Sequence, residues 1–165
     1  MSIYTAIMRR SDREITDLQE IGQILERSTV CRIAFSVDNE PYIVPLSYGY
    51  DPETQSLYFH TADRGKKIDC IARNPHVCFE VEGEIRLRTG GRQGCRWTVA
   101  YESVVGYGTI SEVCGSSDKE NGLRFLMNQH APEELEWTFG KKMVETVRVW
   151  RLEIDGNAVR GKRSR

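Results

Sequence analysis

The chain has 165 residues, with 23 basic and 24 acidic side chains and a formal charge of −1. That length suits a single domain spanning 1–165 with a core large enough to need neither disulfides nor a structural metal, and the balanced charge argues against a nucleic-acid partner. No run of roughly 18 apolar residues is present to span a bilayer and no secretory pattern opens the chain, so no membrane partner and a cytoplasmic location are expected.

Taken from the N-terminus, Thr16 with Gln19 forms a capping-box signature, and Leu18, Ile21, Ile24 and Leu25 follow at helical spacing. This predicts a helix lying on a sheet. Strands are predicted over 30–37, 41–50 and 57–61, separated by the turn-rich stretches Asp38-Asn39-Glu40 and Asp51-Pro52-Glu53-Thr54, and read as an antiparallel meander. Pro45 interrupts the second strand; lacking an N–H, it predicts a bulge or a sheet edge there. A polar loop then leads into a short helix bearing Ile68, Ile71 and Ala72, stopped at Asn74-Pro75. Residues 76–82 read as a fourth strand with Val77, Phe79 and Val81 on one face. The following 83–95 carries Gly83, Gly90, Gly91 and Gly94 and reads as a turn or mobile loop.

A long strand is predicted over 97–112, bent near Gly106 and Gly108. Ser117 with Glu120 opens a second capped helix, Pro132 begins a short helical stretch through Trp137, and 144–154 supplies the last strand. The basic tail 161–165 is expected to be disordered. Six strands with close turns and few helices point to a mainly β fold, a small closed or split antiparallel barrel with peripheral helices.

The strongest local candidate for chemistry is Thr61-Ala62-Asp63-Arg64-Gly65-Lys66-Lys67. A loop entering a helix offers free N–H groups and a positive dipole, and the lysines add full charges, so a phosphate would sit well there. On composition alone a solvated basic turn explains the stretch first, because neither a Walker loop nor G-x-G-x-x-G is present. His60, at the preceding strand end, is placed for a ligand contact or proton transfer, although such a histidine alone reads first as structural. The five cysteines, Cys31, Cys70, Cys78, Cys95 and Cys114, are scattered and odd in number, which suits reduced thiols, mostly in the core. With no C-x-x-C or H-x-x-H spacing, no metal site is expected. No nucleophilic triad is recognisable around Ser47 or Ser103.

Several separated blocks together carry a family resemblance. They are Met8-Arg9-Arg10 with Asp12-Arg13-Glu14, the stretch 41–50 around Pro45, Leu57-Tyr58-Phe59-His60-Thr61-Ala62 with Gly65-Lys66-Lys67, the stretch 74–81 from Asn74-Pro75, and 101–108 with Tyr101-x-Ser103. In these blocks the sequence resembles the pyridoxamine 5'-phosphate oxidase-like FMN-binding split barrels, in the branch related to nitroimidazole-resistance proteins. The resemblance implies a six-stranded split barrel forming a homodimer, with FMN in clefts at the subunit interface. It implies that Val44, Pro45, Leu46, Ser47 and Tyr48 line the flavin ring, that Thr61, Lys66 and Lys67 hold the phosphate, and that Ser103 adds a polar contact. It further implies that Trp150 approaches the ring from the partner subunit and that His60 faces the flavin as a proton donor. The function implied is an FMN-dependent oxidoreductase taking a hydride from NADH or NADPH and reducing a small oxidant such as a nitroaromatic or a quinone. A flavin sensor or carrier without turnover, or a haem-binding split barrel, are the alternatives. The stretch from Trp150 to Arg163 lacks the arginine-and-histidine substrate motif of the vitamin-forming oxidases, which argues against that reaction.

Overall fold

The computed structural model describes residues 8–131 and 135–164. Nine strands and four α-helices run among them. A short strand β1 (Glu14–Ile15) precedes α1 (Leu18–Arg27), then come β2 (Val30–Val37), β3 (Glu40–Ser47), β4 (Gly49–Asp51) and β5 (Ser56–Thr61). Helix α2 (Lys66–Arg73) leads to β6 (His76–Arg88) and β7 (Thr98–Glu112), followed by α3 (Ser116–His130), α4 (Lys141–Thr146), β8 (Arg148–Ile154) and β9 (Arg160–Ser164).

The first helix is capped one residue later than its sequence signature suggests. The carboxylate of Asp17, not the Thr16 hydroxyl, accepts the Gln19 N–H at 2.9 Å. The buried stripe Ile21, Ile24 and Leu25 then faces the barrel interior. At the other end of α1 the Gln129 amide, from α3, donates to the Leu25 and Glu26 carbonyls at 2.7 and 2.8 Å. These are the carbonyls that a helix end leaves without partners.

β2 and β3 form a tight antiparallel hairpin in full register from Val30↔Ser47 to Val37↔Glu40. Asp38 and Asn39 at its turn both have positive φ, at 53° and 63°, the twist that favours two-residue hairpins. The register is unbroken through Arg32↔Pro45, so there is no bulge. β3 is instead an edge strand, where a residue without an N–H does no harm.

The expected meander of three strands is corrected by the strand order, β3-β2-β6-β7-β8-β5-β4. β3 and β4 lie at opposite ends of that order, yet only Tyr48 separates them in the chain. One residue spans only a few ångströms, so the two ends of the sheet must meet. The chain itself thus closes the barrel end to end, while no ladder among the described residues joins β3 to β4 and β3 keeps a free edge. At the switch a Cβ on Gly49 would lie 2.1 Å from the Phe125 carbonyl carbon, so glycine alone lets the chain pass under α3. The enclosed core includes Ile24, Leu25, Ile33, Phe59, Phe79, Val81, Val104 and Leu152.

Four more expectations change. β6 runs on to Arg88 and pairs with β7 through Leu87↔Val99, so half of 83–95 is strand rather than loop. The basic tail is strand too: β9 pairs with β1 through Glu14↔Lys162 and with β7 through Ser103↔Lys162, while Arg165 lies outside the described residues. Val144 is buried in α4, and the last long strand starts at Arg148. The short helix expected from Pro132 falls partly on 132–134, outside the described residues, and 135–140 is not helical. Of the cysteines, Cys31 and Cys70 are buried and Cys78 half-buried, while Cys95 and Cys114 are exposed.

Candidate functional site

The candidate site starts where β5 ends. Gly65 has φ of +136°, strained for any residue with a side chain, and turns the chain into α2. Its carbonyl accepts from Ile68 N–H at 2.8 Å and Asp69 N–H at 3.2 Å. The N–H groups of Lys66 and Lys67 therefore come before the first helical bond, at the positive end of the helix dipole. A Cβ at Gly65 would meet nothing within 4 Å, so the space above this turn is open. Two lysines, two unladdered N–H groups and open space fit a phosphate.

Lys66 also ties this helix start to the edge strand. Its Nζ lies 4.7 Å from the centroid of the Tyr42 ring, which stacks on Phe35 at 5.9 Å. Two residues beyond Tyr42, Val44 and Leu46 turn half-buried side chains to the core, while Pro45 and Ser47 face outward. Tyr48 is buried, and its hydroxyl donates to the Leu25 carbonyl at 2.6 Å. Burial pushes that phenol well above its ordinary range. Tyr48 thus has only its backbone to offer a ligand.

Thr61 and Trp150 are brought together, although in a manner the sequence did not foretell. The buried Thr61 hydroxyl donates to the Ala62 carbonyl at 2.8 Å and accepts the Trp150 indole N–H at 2.9 Å. Its one proton is already committed, so Thr61 fixes the strand end and does not face outward as a free donor. Trp150 is only 4% exposed inside its own barrel, which corrects the expectation that it reaches a flavin of the partner subunit. Arg148 covers it, with the guanidinium 4.6 Å from the ring. Arg148 also donates to the Asp63 carbonyl at 3.1 Å and to both Glu112 oxygens at 2.8 and 2.6 Å. That pairing holds the Glu112 carboxyl below the usual range.

His60 is exposed on the outward face of β5, opposite Val149. Ser103 sits elsewhere: on β7 it opposes Glu82 and Lys162, nine residues ahead of Glu112, roughly 30 Å along a strand. Within one chain it does not join the Thr61–Lys67 loop. Arg148 is the residue at this corner that the sequence did not single out. Arg148 lies in an ordinary alternating strand pattern, and only its register opposite Thr61 marks it.

One large part of the surface is uncovered. Helix α3 packs over β4, β5 and β8, and α1 and α2 meet β6, β7 and β2 through the core-facing Ile21, Ile24, Leu25, Cys70 and Ile71, so among the described residues the outward face of β3, β2, β6 and β7 carries no helix. It exposes Ile43 (60%), Ile85 (55%) and Val105 (43%) around an ion-pair group in which Arg32 meets Glu80 at 3.0 Å and Glu82 at 2.8 Å. No helix among the described residues is long and apolar enough to cross a membrane.

A family model described as pyridoxamine 5'-phosphate oxidase matches residues 17–163. No curated protein sequence matches the chain. Among solved structures, a candidate 5-nitroimidazole antibiotic resistance protein from Bacteroides thetaiotaomicron is similar at 25% identity, with a TM-score of 0.76, covering 90% of this chain and 85% of that one. A flavocytochrome from Azotobacter vinelandii aligns with a TM-score of 0.79 at 17% identity, over 99% of this chain and 75% of that one. An FAD-binding protein from Mesorhizobium loti aligns at 0.65 and 23% identity, over 93% and 98%. The last two likenesses are of fold.

Proposed function

The chain belongs to the pyridoxamine 5'-phosphate oxidase family, and on that premise we propose that it is a flavin-dependent oxidoreductase that binds FMN. The observation that carries the reading is the corner where Gly65, Lys66 and Lys67 meet edge strand β3 through Tyr42, an anion cradle beside exposed strand backbone. Lys66, Lys67 and their N–H groups take the phosphate, with Thr61 anchoring the loop through Trp150. Backbone groups of Val44 to Ser47 in β3, and of Tyr48 just after it, meet the polar edge of the ring, an arrangement that an edge strand permits.

Bound flavin supplies hydride and electron transfer between NADH or NADPH and a small oxidant such as a nitroaromatic or quinone. The chain's own residues orient it, and His60, exposed one residue before Thr61, delivers the proton that reduction of such an oxidant requires. The uncovered apolar face of β3, β2, β6 and β7 is the surface on which two copies pair. Pairing also accounts for Ser103, which is remote from its own phosphate loop and contacts the flavin held by the partner subunit.

The test is the visible spectrum of the purified protein, before and after NADH or NADPH is added without air. The expected result is a flavin spectrum that bleaches with one donor and recovers with a nitroaromatic. A colourless protein that takes up no added FMN would sink the flavin assignment. Bound flavin that neither nicotinamide reduces would leave the protein a flavin carrier.

A further inference from the structure

A cleft of about 720 Å3 lies between α3 and the outward side of β5 and β8, and the proposed function makes no use of it. We propose that this cleft binds the adenylate end of a dinucleotide. Its volume lies within the range of about 300 to 1,000 Å3 usual for small-molecule sites. The aromatic part of the wall is Tyr58 and Phe125, stacked on each other with centroids 5.5 Å apart and planes 11° apart, which presents flat apolar surface to a purine.

Beside it, α3 places Asn121 and Asn128, two turns of one helix, along the cleft. A carboxamide pairs with adenine by donating to a ring nitrogen and accepting from the exocyclic amine. The Asn128 oxygen already accepts the Trp137 indole N–H at 2.7 Å, which leaves its NH2 to donate. Asn121 offers both functions.

Three carboxylates and two guanidiniums line the wall, so a phosphate is held there by directed hydrogen bonds rather than by net charge. Asp51 keeps its charge but has its oxygens bound within its own turn, accepting from Glu53 N–H at 3.0 Å and the Thr54 hydroxyl at 2.6 Å. Glu112 is consumed by Arg148. Asp118 and two guanidiniums, Arg124 and Arg151, complete the charged lining. Arg124 uses one N–H on the Trp137 carbonyl at 2.9 Å, while Arg151 uses one on the Ser56 hydroxyl at 2.8 Å and lies 3.7 Å from a Glu153 carboxylate oxygen, so each guanidinium keeps further N–H donors for an anion. Arg148 joins the cleft to the phosphate loop, since it grips Glu112 on one side and the Asp63 carbonyl on the other.

Adenylate is common to two sources, the nicotinamide donor and FAD in place of FMN. The choice between them rests on the proposed function, whereas adenylate binding itself does not. The experiment titrates the full-length protein with AMP by calorimetry, then repeats the titration with FAD, FMN, NADH and NADPH, for wild type, Arg151→Gln and Asn121→Asp. AMP is expected to bind wild type and to weaken by about tenfold in Arg151→Gln, as removal of one charge-assisted hydrogen bond implies. Asn121, exposed on α3, is the safeguard should Arg151→Gln fold poorly. A matching loss for FAD with FMN unchanged identifies FAD as the source, and a matching loss for NADH or NADPH identifies the donor. AMP binding by a colourless protein would support the cleft while removing the flavin reading. No AMP binding to wild type, or binding unaltered in both variants, overturns the proposal.

Discussion

Thr61 and the two lysines share a loop, yet the structure gives them different tasks. Lys66 and Lys67 stand at an open helix start, whereas the Thr61 hydroxyl is turned inward between Ala62 and Trp150. Replacing both lysines by glutamine is expected to weaken FMN binding by about 1.5–3 kcal/mol for each ammonium–phosphate hydrogen bond removed, read by flavin fluorescence titration. Thr61→Val leaves the buried Trp150 N–H without an acceptor and is expected to cost about 1–3 kcal/mol in urea unfolding. A Thr61→Val protein of full stability would mean the indole bond contributes nothing. The place of the lysines at a helix start was legible, because a polar loop with Gly65 precedes the apolar helical positions Ile68 and Ile71. The inward turn of Thr61 was not, since its partner is 89 positions away and depends on the register of β5 with β8.

Among the elements, legibility followed apolar alternation. β2, the buried half of β6 and β7 carry it plainly, and their strands lie where the pattern places them. β9 hides it, because Arg160-Gly161-Lys162-Arg163-Ser164 has no apolar side chain and is held by pairing and charge instead. Arg163 bonds Glu20 and Glu102, and Arg160 meets Glu14 at 3.3 Å. The β3-to-β4 switch was hidden for a different reason: a run from 41 to 50 reads as one strand, and only packing under α3 divides it. Gly49→Ala would force its Cβ into the Phe125 backbone, with an expected cost of about 1–3 kcal/mol or more. Gly156→Ala, whose Cβ meets only the Gln55 side chain at 3.7 Å, is expected to stay within about 0.5 kcal/mol of wild type. Equal denaturation midpoints for the two variants would show that the switch is not sterically fixed.

At the scale of the whole molecule, the barrel is closed by covalent adjacency at Tyr48 and then braced by charge where α1, β7 and β9 converge. Glu102 is central there, with Arg27 on one side and Arg163 on the other. Burial alone would raise its pKa, but the two arginines hold the carboxyl below its ordinary value, and Arg148 does the same for Glu112. A depressed folded-state pKa means that the unfolded chain binds protons first. The stabilisation is therefore complete above the ordinary value of 4.5 and is lost as pH falls below it toward the folded values. Glu80 acts in the opposite sense, because burial raises it despite Arg32, so acidification relieves a cost there. Urea midpoints measured from neutral pH down through 4.5 are expected to fall, and to fall less in Glu102→Gln, which has no proton to take up. A Glu102→Gln protein with the same acid slope as wild type would show that the carboxylate between α1, β7 and β9 does not set acid stability, leaving pairing and burial alone to hold the C-terminal strand.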